Sequence, residues 1–577
     1  MLLLNFARAG NRYLITRRVV GFYCFSRKQS FVIMEAKGKS VYEEAVYALN
    51  GLQSNSAVIQ KAREERSTKA YLNLVDTERH LKTLGVNLED LDALNIIHVA
   101  GTKGKGSTCA FTEAILRKHG FKTGFYSSPH LISVNERIRI NGKPISKKVF
   151  AEYFWKVYKS IQSNLKEGES MPPYFLFLTV MSFYIFVKEQ IQAAVIEVGI
   201  GGLWDCTNII RRPVAVGITT LGIDHVNILG KTLAEIAEQK AGILKPNVPA
   251  FTVPQQECAM RVLREKAEVV KCPLLLSPPV EAYENTISLG IQGIVQNVNA
   301  SLALQLTNTW LRQSKGLEPL QDIYHNFSSK PINGESDHIP ILMADTFLIN
   351  SNTKEALETC VWPGRFQTVE KGKVNFFLDG AHTQQSMKYC ARWFTEESQR
   401  HRELRANQTV LKILLFNCTG ERKAESLLDP LADISFDVVM FSPNRINVMK
   451  DASSDLSNFM VEPEKEIQQC ITNKEIWCHL MRSLYENELS ASSVSIHAPR
   501  VETITNASMT DNALLFPSIS NALNFIFSPD SVSKNDDINA SSVDSSLCKL
   551  VKNADHIQVL VTGSLHLVGG VLSLIGT

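Results

Sequence analysis

The chain has 577 residues, which at about 100 to 200 residues per domain predicts two to four domains and a large buried core. With 44% hydrophobic and 21% charged residues, it is neither a multi-span membrane protein nor a wholly disordered chain. Its 61 Lys+Arg nearly balance 58 Asp+Glu, so no bulk charge recruits nucleic acid or an anionic membrane surface.

The 11 cysteines include no C-x-x-C pair. That fits neither a zinc ribbon nor a disulfide framework, and they read as reduced thiols. The amino-terminal residues 1–33 stand apart. They carry Arg8, Arg12, Arg17, Arg18, Arg27 and Lys28, and no acidic residue precedes Glu35, which is the composition of a mitochondrial transit peptide. A secretory signal is the rival, but its one apolar candidate, Val19 to Phe25, lacks a small-residue cleavage site. Met34 reads either as an ordinary core methionine or as an alternative start that yields a cytoplasmic copy.

From Leu94 to Pro254 short apolar runs alternate with longer amphipathic stretches: Ile96 to Ala100, Lys122 to Phe125, Ala193 to Val198, Val214 to Thr219 and Val248 to Val253. This rhythm predicts a parallel sheet covered by helices. A helix is expected over Val298 to Arg312, then a polar linker from Glu318 to Asn352. A second alternation follows, with strands at Phe376 to Leu378, Leu411 to Phe416, Val438 to Phe441 and Ile557 to Val561. The class is therefore α/β with two domains. A P-loop ATPase-like parallel sheet is expected over 41–345, and a smaller Rossmann-like domain over 353–577. The Ser-, Asn- and Asp-rich stretch from Asp451 to Asp555 reads largely as surface insertion or disorder, with no chemistry in it.

The first strand runs into Gly101-Thr102-Lys103-Gly104-Lys105-Gly106-Ser107-Thr108, and a helix follows through Cys109 to Lys118. Strand, glycine loop and helix together make a phosphate site: backbone N–H groups turn inward around an anion, and Lys105 reaches the terminal phosphates. Ser107 is expected to cap the helix or meet Mg²⁺. The loop is a variant, because Val99 stands where the P-loop pattern has its first glycine and Gly106 separates Lys105 from the hydroxyl. Three further positions fall at strand ends, where open α/β sheets bind ligands: Ser128 before Pro129, Glu197 before Gly199 to Gly202, and His225 after Asp224. A carboxylate closing a buried strand wants a cation, so Mg²⁺ is the natural partner of Glu197. Singly, each also fits a plain role: Ser128 in a turn, Glu197 as a paired charge, His225 as a bonded loop histidine. In the second domain Arg365 follows Pro363-Gly364, and Asp379-Gly380-Ala381-His382 closes a strand. Arg365 suits phosphate oxygens and Asp379 a ribose or a nucleophile, although Pro-Gly and Asp-Gly are also common turns.

Taken in order, Gly101 to Ser107, Ser127 to His130, Asn135 to Ile138, Pro172 to Phe175, Glu197 to Gly202, Leu221 to His225, Trp362 to Arg365, Asp379 to His382 and Val561 to Gly570 resemble folylpolyglutamate synthase, of the folate branch of the Mur ligase superfamily. The resemblance runs from about Val41 to the carboxyl terminus. It implies that Gly104, Lys105, Gly106 and Ser107 hold the ATP phosphates, with Arg365 and Asp379 completing the ATP site across an interdomain cleft. Ser128, Glu197 and His225 would bind Mg²⁺, joined by Lys240, which is carbamylated in many relatives and otherwise reads as a surface helix lysine. Lys105, Asp379 and His382 are the implied catalytic residues, and Tyr174 and Phe175 the implied folate-binding pair. The implied reaction adds L-glutamate to the terminal glutamate carboxylate of tetrahydrofolate through an acyl phosphate, with ATP as substrate, Mg²⁺, and K⁺ or another monovalent cation. A monomer acting on small molecules is expected, with no nucleic-acid or integral-membrane partner, in the mitochondrial matrix and cytoplasm. Dihydrofolate synthase is the enzyme rival. A non-catalytic relative is the other, but it would be expected to lose Lys105, Glu197 or His225, and all three are present. Lys103 stands where many bacterial relatives have Asn, so its neighbours differ from theirs.

Overall fold

In the computed structural model the described residues are 40–53, 70–283, 287–316, 341–405, 408–419, 422–448, 454–455, 463–492, 512–531 and 545–576. The expected transit peptide at 1–33 and Met34 lie outside them. The chain divides after Ser40 into two units, and the second, Val41–Thr577, carries all the strands among the described residues.

Eight strands form the first sheet: β1 (Ile97–Ala100), β2 (Thr123–Tyr126), β3 (Ile138–Ile140), β4 (Lys143–Pro144), β5 (Ala193–Glu197), β6 (Ala215–Ile218), β7 (Ala250–Thr252) and β8 (Leu274–Leu276). Their order is β4-β3-β2-β5-β1-β6-β7-β8, parallel from β2 to β8 with β3 and β4 antiparallel at one edge. Alternation along the strands explains the burial. Ile97, Val99, Ala193 and Val195 face a core shared with Phe111 and Ile115, whereas Ile96, Ala194 and Ile196 face one shared with Phe177 and Phe183. Side chains alternate faces along a strand, and a sheet buried on both faces must carry helices on both. The helix Tyr174–Lys188 is buried nearly all round, from Leu176 to Phe186. Each such buried Phe, Leu or Ile contributes about 1.5–3 kcal/mol.

The second sheet contains β9 (Gln367–Lys371), β10 (Val374–Leu378), β11 (Val410–Phe416), β12 (Val438–Phe441), β13 (Ala513–Leu515) and β14 (His556–Thr562). It runs β13-β12-β11-β14-β10-β9, with only β9 antiparallel.

Register sets the functional edges. Val99 pairs with Glu197, Ala100 with Ile218, and Tyr126 with Ile196, so β1, β2, β5 and β6 end level. The strand order reverses around β1, the switch point at which such sheets bind ligands. In the second sheet Leu378 pairs with Val561 and Phe416 with Thr562, so Asp379 and Gly563 leave together.

Two expectations are corrected. The carboxyl-terminal part of the expected linker belongs to the first sheet: Ala344 N–H donates to Leu276 O at 2.8 Å, and the helix Ser351–Thr359 buries Thr353, Ala356 and Leu357 in the core of Val99 and Phe111. Residues 353–359, expected to open the second domain, therefore pack with the first. The stretch expected as insertion also supplies structure. The helix Pro463–Ser492 buries Cys470, Trp477 and Cys478 against Phe394 and Phe436, β13 extends the sheet, and the helix Ile519–Phe527 covers its other face. Apolar residues at helical spacing carry this packing inside a polar average.

Candidate functional site

Beyond β1 the chain turns through Gly101 at φ 151° and Gly104 at φ 87°. These are left-handed positions that favour glycine, and space demands it as well. A Cβ at Gly101 would overlap Thr219 Oγ1, and one at Gly104 would overlap Asn299 Oδ1. The N–H groups of Thr102 and Lys103 both donate to Thr220 O at 3.0 Å, clipping the loop to the exit of β6. The helix starts at Lys105, earlier than expected, with Gly104 as its N-cap residue. Ser107 therefore does not cap it but lies buried within the first turn. The first-turn N–H groups of a helix have no intrahelical partner, and they make an anion site. Beneath the loop, Lys240 on the helix Leu233–Ala241 donates from Nζ to Gly101 O at 2.8 Å. Burial pulls its pKa down to about 7.

Glu197 closes β5 almost wholly buried. Its Oε1 stands 3.9 Å from Lys105 Nζ, and its Oε2 accepts from Ser128 N–H at 3.2 Å. Burial raises its pKa, with Lys105 opposing. His225 sits exposed with φ 51°, its N–H donating to the neighbouring Asp224 Oδ1 at 3.0 Å. Tyr174 and Phe175 open the helix behind this edge. The Arg137 guanidinium lies 5.2 Å from the Tyr174 ring, and Phe175 fills the space that a side chain at Gly199 would need.

The second sheet meets this edge. A cavity of about 50 Å³ is lined by Gly106, Ser128, Glu197 and Trp362 from the first half, and by Arg365 and Leu565 from beyond it. Asp379 is buried, with Oδ2 accepting from Phe366 N–H at 3.0 Å and Oδ1 from Ala381 N–H at 2.9 Å. It braces the turn that carries Arg365. Burial pushes its pKa up to about 6, and Arg365 opposes. His382 lies between Gly380 O, 2.7 Å from Nδ1, and Lys103 Nζ, 2.8 Å from Nε2. Burial, helped by the Lys103 charge, lowers its pKa to about 4. Lys103 Nζ also donates to Asp224 Oδ2 at 3.1 Å. Burial opposes ionisation of Asp224, but the Lys103 ammonium and the positive charge around it hold its carboxyl well below the usual range.

Lys105, Glu197, Ser128 and Arg365 thus come together, as do His382 and Asp224. Four residues gather here to which the sequence alone gives no role. Trp362 approaches Gly106 and lies under Arg139 at 4.9 Å; Asn299 reaches the loop from the helix Val295–Ser314; Asp224 bonds Lys103. Arg422, beyond β11, adds positive charge at Lys103, His225 and His382, and no motif marks it. Among the described residues no three His, Cys, Asp or Glu side chains cluster to hold a metal ion. The expected set contains only two such residues, Glu197 and His225.

No family model matches the chain. It is 42% identical over 556 residues to the mitochondrial folylpolyglutamate synthase of Homo sapiens, covering 92% of each chain. It is 36% identical over 590 residues to a folylpolyglutamate synthase of Arabidopsis thaliana, covering 95% of this chain and 90% of that one. A Mycobacterium tuberculosis folylpolyglutamate synthase complexed with ADP has the same fold, with a TM-score of 0.63 at 19% identity over 93% of this chain and 98% of that chain. Identity at this level along nearly the whole of both sequences carries the conclusion that the chain belongs to the folylpolyglutamate synthase family.

Proposed function

We propose that the cleft between the two sheets is the active site of an ATP-dependent ligase that adds L-glutamate to the terminal glutamate carboxylate of tetrahydrofolate, giving folylpolyglutamates. The observation that carries this reading is the single cavity lined by Gly106 of the phosphate loop, Glu197 of the first sheet and Arg365 beyond the linker. A carboxylate is a poor electrophile. Its oxygen attacks the γ-phosphorus of ATP, the bond to the bridging oxygen breaks, and ADP leaves an acyl phosphate. The glutamate amine then attacks the acyl carbon, the carbon–oxygen bond to phosphate breaks, and the amine gives up a proton.

In this reading Gly104, Lys105, Gly106 and Ser107 hold the phosphates by backbone N–H groups and the lysine charge, and Arg365 meets them from the second half. Such fixed charges act chiefly by electrostatic stabilisation. Asp379 positions Arg365, and His382, whose ring burial keeps neutral, stands at the amino-acid end. Tyr174 and Phe175 are assigned to the folate side.

The donor chemistry suits Mg²⁺, which takes one or two carboxylates and leaves its other places to phosphate and water: Glu197 is buried, with one N–H on one oxygen and a cation 3.9 Å from the other. We assign Ser128, Glu197, His225 and Lys240 to the ion, which when bound would neutralise charge on the phosphate oxygens. An ammonium cannot ligate a cation, so the part of Lys240 requires carbamylation, and its pKa, lowered by burial to about 7, leaves a share of the neutral amine which that reaction needs. Among the described residues no donor set is assigned to K⁺ or another monovalent cation. We further assign the arginine-rich leader to matrix import, in keeping with the mitochondrial relatives, and Met34 to a cytoplasmic start. Fluorescent fusions of both forms test this, and equal import of the shorter form contradicts it.

The test of the reaction incubates the purified chain with ATP, Mg²⁺ and labelled glutamate, and with either tetrahydrofolate or dihydropteroate. Label on tetrahydrofolate is expected. Label on dihydropteroate alone would make the chain a dihydrofolate synthase, and label on neither would leave a nucleotide-binding scaffold.

A further inference from the structure

Lys103 lies in the phosphate loop, yet its ammonium is bonded to two side chains outside that loop. Nζ is 3.1 Å from Asp224 Oδ2, beyond β6 in the first half, and 2.8 Å from His382 Nε2, beyond β10 in the second. The side chain is 23% exposed and that of Asp224 16%. A lysine ammonium has three donors and no acceptor, so it bonds Nε2 only when that nitrogen holds a lone pair. The ring proton then resides on Nδ1, which donates to Gly380 O at 2.7 Å. Asp224 is 3.7 Å from Nε2, beyond hydrogen-bond reach. Lys103 is thus the direct link between the carboxylate and the imidazole. Its own backbone is clipped to Thr220 O, and His382 N–H is held by Ser386 Oγ at 3.2 Å, so both ends of the link are anchored.

We propose that Lys103 is a positioning residue that couples the two halves of the reaction. It ties the loop assigned to ATP to the histidine assigned above to the amino-acid end, and it fixes the tautomer and direction of that ring. This rests on the ligase reading above. ATP can be cleaved without the link, since Lys105, Glu197 and the loop amides remain. Capture of the acyl phosphate by the glutamate amine needs the second half to be held in register, because a misplacement of about 1 Å can cost about a hundredfold in rate. Loss of Lys103 therefore diverts acyl phosphate to water.

The test compares full-length wild type with Lys103→Met, measuring ADP released and glutamate incorporated at saturating ATP and tetrahydrofolate while glutamate is varied. ADP release within about threefold of wild type is expected, with glutamate incorporation down at least about tenfold and KM for glutamate raised. Lys103→Arg, which keeps two or more donors, is expected to recover much of the ratio. Should Lys103→Met melt well below wild type, Lys103→Gln decides the question by the same ratio. An equal fall in both products would make Lys103 a phosphate ligand and overturn the proposal, as would an unchanged ratio in a folded variant. A wild-type chain that releases ADP without incorporating glutamate would overturn the ligase reading itself, a result distinct from either.

Discussion

Glu197 is a carboxylate closed off from water, and its cation Lys105 stands 3.9 Å away with no hydrogen bond between them in the described structure. Such a pair contributes little to stability, because desolvation offsets the attraction; in the proposed function its part is the charge it presents to a phosphate. Lys105→Ala and Glu197→Gln are each expected to lower kcat about 10²- to 10³-fold while the thermal midpoint changes little. Steady-state rates within a few-fold of wild type in folded variants would remove both from the site. Asp379 adds a pH signature. Its folded pKa of about 6 exceeds the roughly 3.9 of an unfolded aspartate. Between those values the folded chain holds a proton that the unfolded chain has released, so this group's contribution to stability falls as pH rises from about 4 to about 6. Melting profiles across that window should decline less steeply for Asp379→Asn than for wild type, and parallel profiles would contradict the assignment. At this scale the sequence was informative wherever residue type and strand end coincided, as at Glu197 and Asp379. It was silent on Asn299, which sits inside a helix and reaches the loop through tertiary packing, and on Arg422, which follows β11 with no motif around it.

Among elements, the strands were legible because burial on both faces writes a continuous apolar run, as in Val195-Ile196 and Val438 to Phe441. The helix Ser351–Thr359 was not. Only three of its residues are buried, in a sequence otherwise polar, so the expected linker ended inside it and residues 353–359 were expected in the second domain. Leu357 is the test of its place. It is fully buried in the first core, and Leu357→Ala should cost about 2–5 kcal/mol by denaturant unfolding. Leu348→Ala, at a site 74% exposed, should stay within about 0.5 kcal/mol. Equal effects would detach the helix from that core. The glycine loop makes a second prediction. Gly104→Ala must bear both the left-handed backbone and the overlap with Asn299, so it should weaken ATP binding by at least about tenfold, measured by titration calorimetry, because the loop can no longer fold around phosphate.

For the whole molecule, the cavity between the sheets measures about 50 Å³, against roughly 300 Å³ or more for a small-molecule site. The proposed site therefore requires the halves to part for ATP and folate and to close over the acyl phosphate against water. That residues of two distant sheets line one cavity could not be read from periodicity, which describes each strand separately; only the ordered motifs implied a site between them. Arg365 is the sharpest probe, since it follows the phosphate loop by more than 250 residues in sequence and yet lines the same cavity as Gly106. The most direct measurement is therefore the ratio of ADP released to glutamate incorporated by wild type, Arg365→Ala and Lys105→Ala. A site shared by both halves predicts a ratio near one for wild type, a raised ratio with slower ATP use for Arg365→Ala, and loss of both products for Lys105→Ala. Unchanged kinetics and coupling in Arg365→Ala would mean that the first half handles ATP alone, and would contradict the shared site.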